Sequence, residues 1–360
     1  PPPMQEPALH ASRDLNETIV QMLSMPNICS REAVVRTYDH EVRGNTAVKP
    51  LQGAHSGPND AAVLKPLEGS WRGLVISCGM NPFYGAIDPY RMAASAIDEA
   101  LRNNVAVGGR RVALLDNFTW GNPEKPDRMG TLLRALEACY ATAKAFEAPF
   151  ISGKDSLYNE SPAGSVTPTL LITAVGIIPD IRAATTLELK KPGNPVYLLG
   201  ETSRELGGSQ YYVMRGASGG AVPAVEAERA RRLMAAVTSG IDSGWVVACH
   251  DLSEGGLGVA LSEMALSGPY GVELRLQDVP RSMVERADLI LFSESNSRFL
   301  VEVEESARDR FMALLRGLPV ARVGTVLRER ILRVHGLDCS TDIEASLDEL
   351  REAWSGQLGA

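Results

Sequence analysis

The sequence predicts an α/β (α+β) fold arranged as one two-domain module. Three observations carry that expectation. Short apolar, β-type runs alternate with helical patterns along the whole chain. At 360 residues the chain exceeds one ordinary core. Pro, Lys and Gly gather between Lys190 and Pro195, where one domain should give way to the next.

The opening Pro1-Pro2-Pro3-Met4-Gln5-Glu6-Pro7 has neither a basic n-region nor an apolar core, so it does not read as a signal peptide. Residues 1–13 read as an interdomain linker, which suits a piece of a longer polypeptide. Residues 14–25 and 30–38 read as short helices, and 61–64 and 73–77 as strands. Asp88-Pro89 gives an N-cap followed by Pro at the first helical position, opening a helix towards Asn103. Residues 111–115 form the next strand. In the helix over 127–147, Met129, Leu132, Leu133, Leu136, Tyr140 and Ala143 recur at helical spacing and predict the inward face. A long β-type run over 169–178 closes the first domain, placed at 14–185.

The second domain, placed at 190–356, begins with a strand at 195–200. A helix follows over 225–239, then a strand at 245–249 that feeds His250-Asp251. Leu257, Ala260, Leu261, Met264 and Ala265 occupy one face of the next helix. Strand, helix, strand and helix then follow at 298–303, 306–315, 321–326 and 342–354.

Composition excludes several classes. A net charge of −8 lacks the basic footprint of general nucleic-acid binding. No apolar run approaches a membrane span. Cys29, Cys78, Cys139, Cys249 and Cys339 are scattered without a CxxC pair, as in a cytoplasmic protein with reduced thiols.

Two segments stand out. Asp116-Asn117-Phe118-Thr119-Trp120-Gly121-Asn122-Pro123-Glu124-Lys125-Pro126 reads as an acid at a strand end, a polar loop and a helix start. Ligand sites are commonly built so, although Gly-Asn-Pro is also generic turn chemistry. Ser152-Gly153-Lys154-Asp155-Ser156-Leu157-Tyr158-Asn159-Glu160 reads as a second loop after an apolar strand. Tyr38-Asp39-His40-Glu41-Val42-Arg43-Gly44-Asn45-Thr46, Asn59-Asp60-Ala61-Ala62-Val63-Leu64, His250-Asp251-Leu252-Ser253-Glu254-Gly255-Gly256-Leu257 and Phe292-Ser293-Glu294-Ser295-Asn296-Ser297-Arg298-Phe299 complete the set. Six such segments in this order resemble the second half of the phosphoribosylformylglycinamidine synthase family, from about Asp14 to Trp354.

The resemblance implies more than the residues show. It implies an ATP-binding first domain and an α/β second domain, a module shared with aminoimidazole ribonucleotide synthetase and selenophosphate synthetase. It implies an ATP-dependent ligase of purine biosynthesis, acting on formylglycinamide ribonucleotide with glutamine-derived ammonia and Mg²⁺. The implied partners are the N-terminal half of the same synthase and a glutaminase subunit or domain, with a homodimer expected of the isolated piece. The family's catalytic histidine sits in an SHNHPS-type segment of the first half, absent here, so no catalytic residue is expected in this half and the piece alone should be inactive. The alternatives are a self-sufficient homodimeric ATPase of the same superfamily and a non-catalytic nucleotide-binding module.

By the same resemblance Asp116 and Gly153 contact ATP and Ser156 contacts substrate, whereas an Asx-type cap is the bland reading of Asp116. Lys154 departs from the family's Asn and, having no acceptor, cannot ligate Mg²⁺. Asp155 and Asp60 remain as possible ligands. Cys78-Gly79-Met80 replaces a Thr-Asp-Cys segment, removing a carboxylate from the second module's nucleotide site. Ser253, Gly255 and Gly256 open a helix with exposed amides, a possible auxiliary anion site, with plain capping an equal reading.

Overall fold

Two mixed sheets of six and seven strands, three two-stranded ribbons, and helices between and around them make up the computed structural model, which describes residues 5–37 and 41–356. The first three residues of the segment opening at Tyr38 lie outside the described residues. In the first sheet, β1 (Thr46–Val48), β2 (Ala62–Leu64), β3 (Gly73–Gly79), β4 (Arg110–Thr119), β5 (Phe150–Ser156) and β6 (Thr169–Ile178) run in the order β1-β2-β3-β6-β4-β5. Strand β6 is antiparallel to β3 and β4, and β5 runs parallel to β4 at the edge.

Helix α1 (Leu15–Leu23) precedes this sheet, and α2 (Pro89–Ala106) and α3 (Pro126–Phe146) cover one of its faces. Asp88 caps α2 by accepting from the Tyr90 and Arg91 amides, with Pro89 in the first turn, as the sequence predicts. Met92, Ala93, Ala96, Ile97 and Ala100 of α2 then bury against Leu114, Phe118, Leu170, Ile172 and Ala174 of the strands. Strand β6 alternates strictly between buried and part-exposed, so its second face is turned away from the helices.

The expected inward face of α3 is corrected. Its buried residues are Leu132, Ala135, Ala138, Cys139, Thr142, Ala143 and Phe146, whereas Met129, Leu133, Leu136 and Tyr140 (70% exposed) face outward. Small residues let α3 approach α2 closely, so the larger apolar side chains are left outside. Periodicity alone favours the bulkier stripe, and the neighbour's shape chose the other.

The second sheet comprises β7 (Pro195–Leu199), β8 (Val246–Asp251), β9 (Gly271–Arg275), β10 (Phe299–Val303), β11 (Val320–Leu327), β12 (Ile331–His335) and β13 (Thr341–Ser346), ordered β8-β10-β7-β11-β9-β12-β13. Every residue of β7 and β10 is buried. Helices α4 (Ala227–Asp242), α5 (Gly256–Leu266) and α6 (Leu347–Ser355) accompany it. One apolar cluster runs from the first sheet through α2, α3 and α4 to Tyr197, Phe299 and Phe311 beside the second. The two sheets therefore share a core.

Two segments sit elsewhere than the expected domain division puts them. Helix α1, counted with the first domain, packs on α6, α5 and β13, because Ile19, Met22 and Leu23 belong to the second sheet's apolar cluster. Within the expected linker, Glu6 accepts from the Ala221 amide and the Tyr212 hydroxyl, Arg286 donates to Leu9 O, and Arg215 to His10 O. The break near Lys190 is pinned as well: fully buried Glu302 accepts from the Lys190 and Lys191 amides and from Asn194 Nδ2.

Candidate functional site

The two prominent segments meet at the end of the β4–β5 pair. Asp116 does not end a strand; it lies within ten-residue β4, opposite Ile172 on one side and Gly153 on the other. The apolar run stops at Leu115, but the ladder continues through polar residues because both neighbours offer backbone partners. Residues 152–156, expected as loop, likewise belong to β5.

Gly153 is required by this pairing. A Cβ there would stand 2.3 Å from Asp116 Oδ1, so the missing side chain makes room for the carboxylate. Burial pushes the Asp116 carboxyl above its ordinary range, and the neighbouring Asp155 charge adds to this. Register and alternation put Asp116, Gly153 and Asp155 on the helix side of the sheet, and Asn117, Lys154, Thr119 and Ser156 on the opposite, open side. The expected contacts thus divide between the two faces of one sheet edge.

The turns that follow hold each other. Glu160 accepts from the Asn122 amide at 3.0 Å and from Lys125 Nζ at 2.8 Å. Asn159 Nδ2 donates to Trp120 O and Ser156 O, and fully buried Trp120 donates to Thr131 Oγ1. Lys125, Asn159 and Glu160 therefore fix the shape of the site, a role that the pair of segments hides until they are seen together.

A second concave region, a cleft of ≈ 410 Å³, opens between the sheets and includes Arg31, Asp60, Cys78, Glu99, Asn103, His250, Asp251, Ser253, Glu254 and Glu263 among its lining. His250 Nδ1 lies 2.9 Å from Asp60 Oδ1 and Nε2 lies 3.1 Å from Glu263 Oε2. Burial opposes the imidazolium, but Asp60 and then Glu263 raise its pKa well above the usual value. Adjacent Asp251 is not its partner, as strand alternation predicts. Asp251 and Asp98 instead hold fully buried Arg102, which also donates to Ser253 Oγ and Leu252 O.

The three residues expected to form an auxiliary anion site have partners within the protein. Gly255 N already donates to Glu294 Oε1 at 2.8 Å, Gly256 N to Ser253 O, and Ser253 Oγ to Asp251 Oδ2 at 2.6 Å. The Gly255 amide is thus spent on one of the protein's own carboxylates. Burial lifts Glu294 to about 7, and the Tyr84 hydroxyl at 2.6 Å holds its other oxygen.

Asp60, a candidate metal ligand, spends Oδ1 on His250 and the Asp251 amide; its buried Oδ2 has no partner. Asp60, His250 and Asp251 could together hold an ion. Gly79 cannot be restored to a carboxylate without moving the backbone, because its Cβ would stand 2.3 Å from Ala96 O. Sequence reasoning missed Glu99, Arg102 and Glu294; the available signal was Asp98, Glu99 and Arg102 interrupting the apolar stripe of α2.

Comparison with known proteins places this geometry. Residues 58–178 match the N-terminal domain, and residues 191–336 the C-terminal domain, of AIR synthase related protein. The chain belongs to the AIR synthase related family. It is 37% identical to the phosphoribosylformylglycinamidine synthase subunit PurL of Methanothrix thermoacetophila, over 98% of this chain and 46% of that relative. It is 35% identical to the PurL subunit of Moorella thermoacetica, over 95% of this chain and 45% of the relative. The chain thus spans about half the length of these curated relatives. Thermotoga maritima PurL complexed with FGAR superposes with a TM-score of 0.76 at 19% identity, over 94% of this chain and 54% of that one. E. coli HypE, a hydrogenase maturation protein, gives a TM-score of 0.57 at 18% identity, over 76% of this chain and 85% of its own. No helix among the described residues is long and apolar enough to cross a membrane.

Proposed function

We propose that this chain is the second half of a phosphoribosylformylglycinamidine synthase, an ATP-dependent C–N ligase of purine biosynthesis in the cytoplasm. The observation that carries the reading is the mutual locking of the 116–126 and 152–160 segments through Glu160, which gathers Asp116, Gly153 and Ser156 at one strand edge. Asp116 and Gly153 meet ATP, and Ser156 meets formylglycinamide ribonucleotide.

In the reaction the substrate amide oxygen attacks the γ-phosphorus of ATP and ADP leaves. Ammonia then adds to the activated carbon, phosphate departs with the oxygen, and loss of a proton leaves the amidine. The step converts a poor leaving oxygen into a good one. Asp116 and Asp155 are hard oxygen donors on the same face of paired strands, which fits Mg²⁺. Bound there, Mg²⁺ would offset phosphate charge. Asp116 and Asp155 would hold it, Gly153 keeps the space beside it free, and Lys154 adds a positive charge on the other face.

The N-terminal half of the synthase would supply the catalytic histidine and cover the open face of the first sheet, while a glutaminase supplies ammonia. Domain bounds of 14–185 and 190–356 belong to this reading, with α1 packed across the division. The 360-residue chain alone should show no formylglycinamide ribonucleotide-dependent ATP hydrolysis, and adding the missing half should restore it. Turnover by the chain alone, at a rate normal for ATP-dependent ligases, would instead select the self-sufficient homodimer.

A further inference from the structure

Asn117 carries an unmet hydrogen-bonding need. It follows Asp116 in β4, so its side chain points to the opposite, open face of the sheet. Its Oδ1 is buried and has no hydrogen-bond partner. A buried amide oxygen left without a donor is costly and calls for an explanation.

Lys154 is in register with Asn117 across the β4–β5 pair, and register partners share a face. The Lys154 side chain is exposed and, among the described residues, its ammonium has neither a hydrogen bond nor an ion pair. Its neighbours Gly153 and Asp155 belong to the other face, so the Asp155 carboxylate does not neutralise it. Thr119 and Ser156, the next register pair on the open face, contribute hydroxyls. Around Lys154 the open-face positions are Leu115, Asn117 and Thr119 of β4, Ser152 and Ser156 of β5, and Leu171 of β6, none of them acidic.

We propose that Asn117 is a positioning residue for Lys154. Its Oδ1 accepts one ammonium hydrogen and steadies Nζ over the open face. The remaining ammonium hydrogens, with the Ser156 and Thr119 hydroxyls, then receive an oxyanion of the phosphate class. An amide suits this task because it accepts a hydrogen bond without cancelling the charge. A carboxylate at 117 would hold the ammonium more tightly and spend its charge. The proposal rests on reading this strand edge as the ligand site, but the Asn117–Lys154 contact does not depend on which nucleotide binds.

The test uses the 360-residue chain isotope-labelled at lysine, with the Lys154 signal assigned by Lys154→Ala, and inorganic phosphate as the probe. Phosphate should shift that signal, and Asn117→Ala should weaken the response about tenfold, the loss expected for a hydrogen bond to a charged group. Asn117→Asp is nearly isosteric and satisfies the same contact, so a structural role would survive it. Here it should still weaken phosphate binding, because the added carboxylate spends the ammonium charge. Unchanged phosphate affinity in both variants would overturn the proposal. If ATP binds the assembled synthase normally while Lys154 responds neither to phosphate nor to Asn117, the positioning role falls and the functional reading stands.

Discussion

The two sheets of this protein solve the same burial problem differently. In the second sheet, β7 and β10 are buried at every position, enclosed by helices and neighbouring strands. In the first, β3 and β6 alternate, and edge strand β5 is exposed at five consecutive residues. Both are mixed sheets of similar size, so strand pairing does not separate them. What differs is cover. The enclosed sheet behaves as a foundation, while the half-covered sheet offers Ile76, Leu115 and Leu171 on a face that is worth more buried than wet.

The sharpest way to break this comparison is to cut both sheets alike. Phe299→Ala in β10 should cost about 3–5 kcal/mol by cavity formation, whereas Ile76→Ala on the open face of β3 should cost under about 1 kcal/mol. Chemical denaturation of both variants measures the contrast, and equal losses would mean that the open face is covered within the monomer.

The cleft and the strand edge should differ in kind. His250→Ala leaves Asp60 and Glu263 facing each other without their cation, so about 3 kcal/mol of stability should be lost, while under the proposed function the chemical step of the assembled synthase should survive. Under the same proposal Asp116→Ala should do the reverse, weakening ATP use by about 1.5–3 kcal/mol with little change in stability. Steady-state kinetics beside thermal melts would decide; abolished turnover in a stably folded His250→Ala would move the chemistry into the cleft.

A smaller effect concerns association. With its open face unpaired, the chain should form a two-fold dimer at micromolar concentration, and Ile76→Lys should shift it towards monomer. Sedimentation velocity reads both, and a wild-type chain that stays monomeric would remove the open face as a docking surface.

The gentlest test is pH. Glu294, at about 7 in the fold, binds its proton more tightly folded than unfolded. Between the unfolded carboxyl value near 4.5 and about 7, the native state therefore holds more protons, and stability falls as pH rises. His250, raised by its carboxylates, acts in the same direction: its stabilisation is full below about 6.5 and is lost as pH climbs through its higher folded value. Melting temperature should decline from pH 5 to 8, and Glu294→Gln should flatten the slope.

Much of this was legible in the residues. Asp88-Pro89 announced α2, the β-type runs located the long strands, and the ordered segments pointed to the region where the strand edge lies. Local chemistry suffices there, because capping, alternation and turn residues act over a few positions. The inward face of α3 was misjudged because Leu133, Leu136 and Tyr140 satisfy helical period as well as Ala135, Ala138 and Thr142 do. Only the shape of α2 chooses between them.

Contacts distant in sequence were out of reach for a related reason. Nothing local links Asp60 to His250, or Gly255 to Glu294, and each pairing converts an apparently available ligand group into an internal partner. By itself the sequence determined the interleaved class, most of the longer elements and the segments that stand out, while 152–156 and 342–346, read as loop and helix, are strand. The tertiary structure decided which face of each strand those residues occupy, which carboxylates are already spent, and which sheet remains half covered. Those outcomes depend on register and close packing, which couple residues across the whole chain and leave no trace in a short window of it.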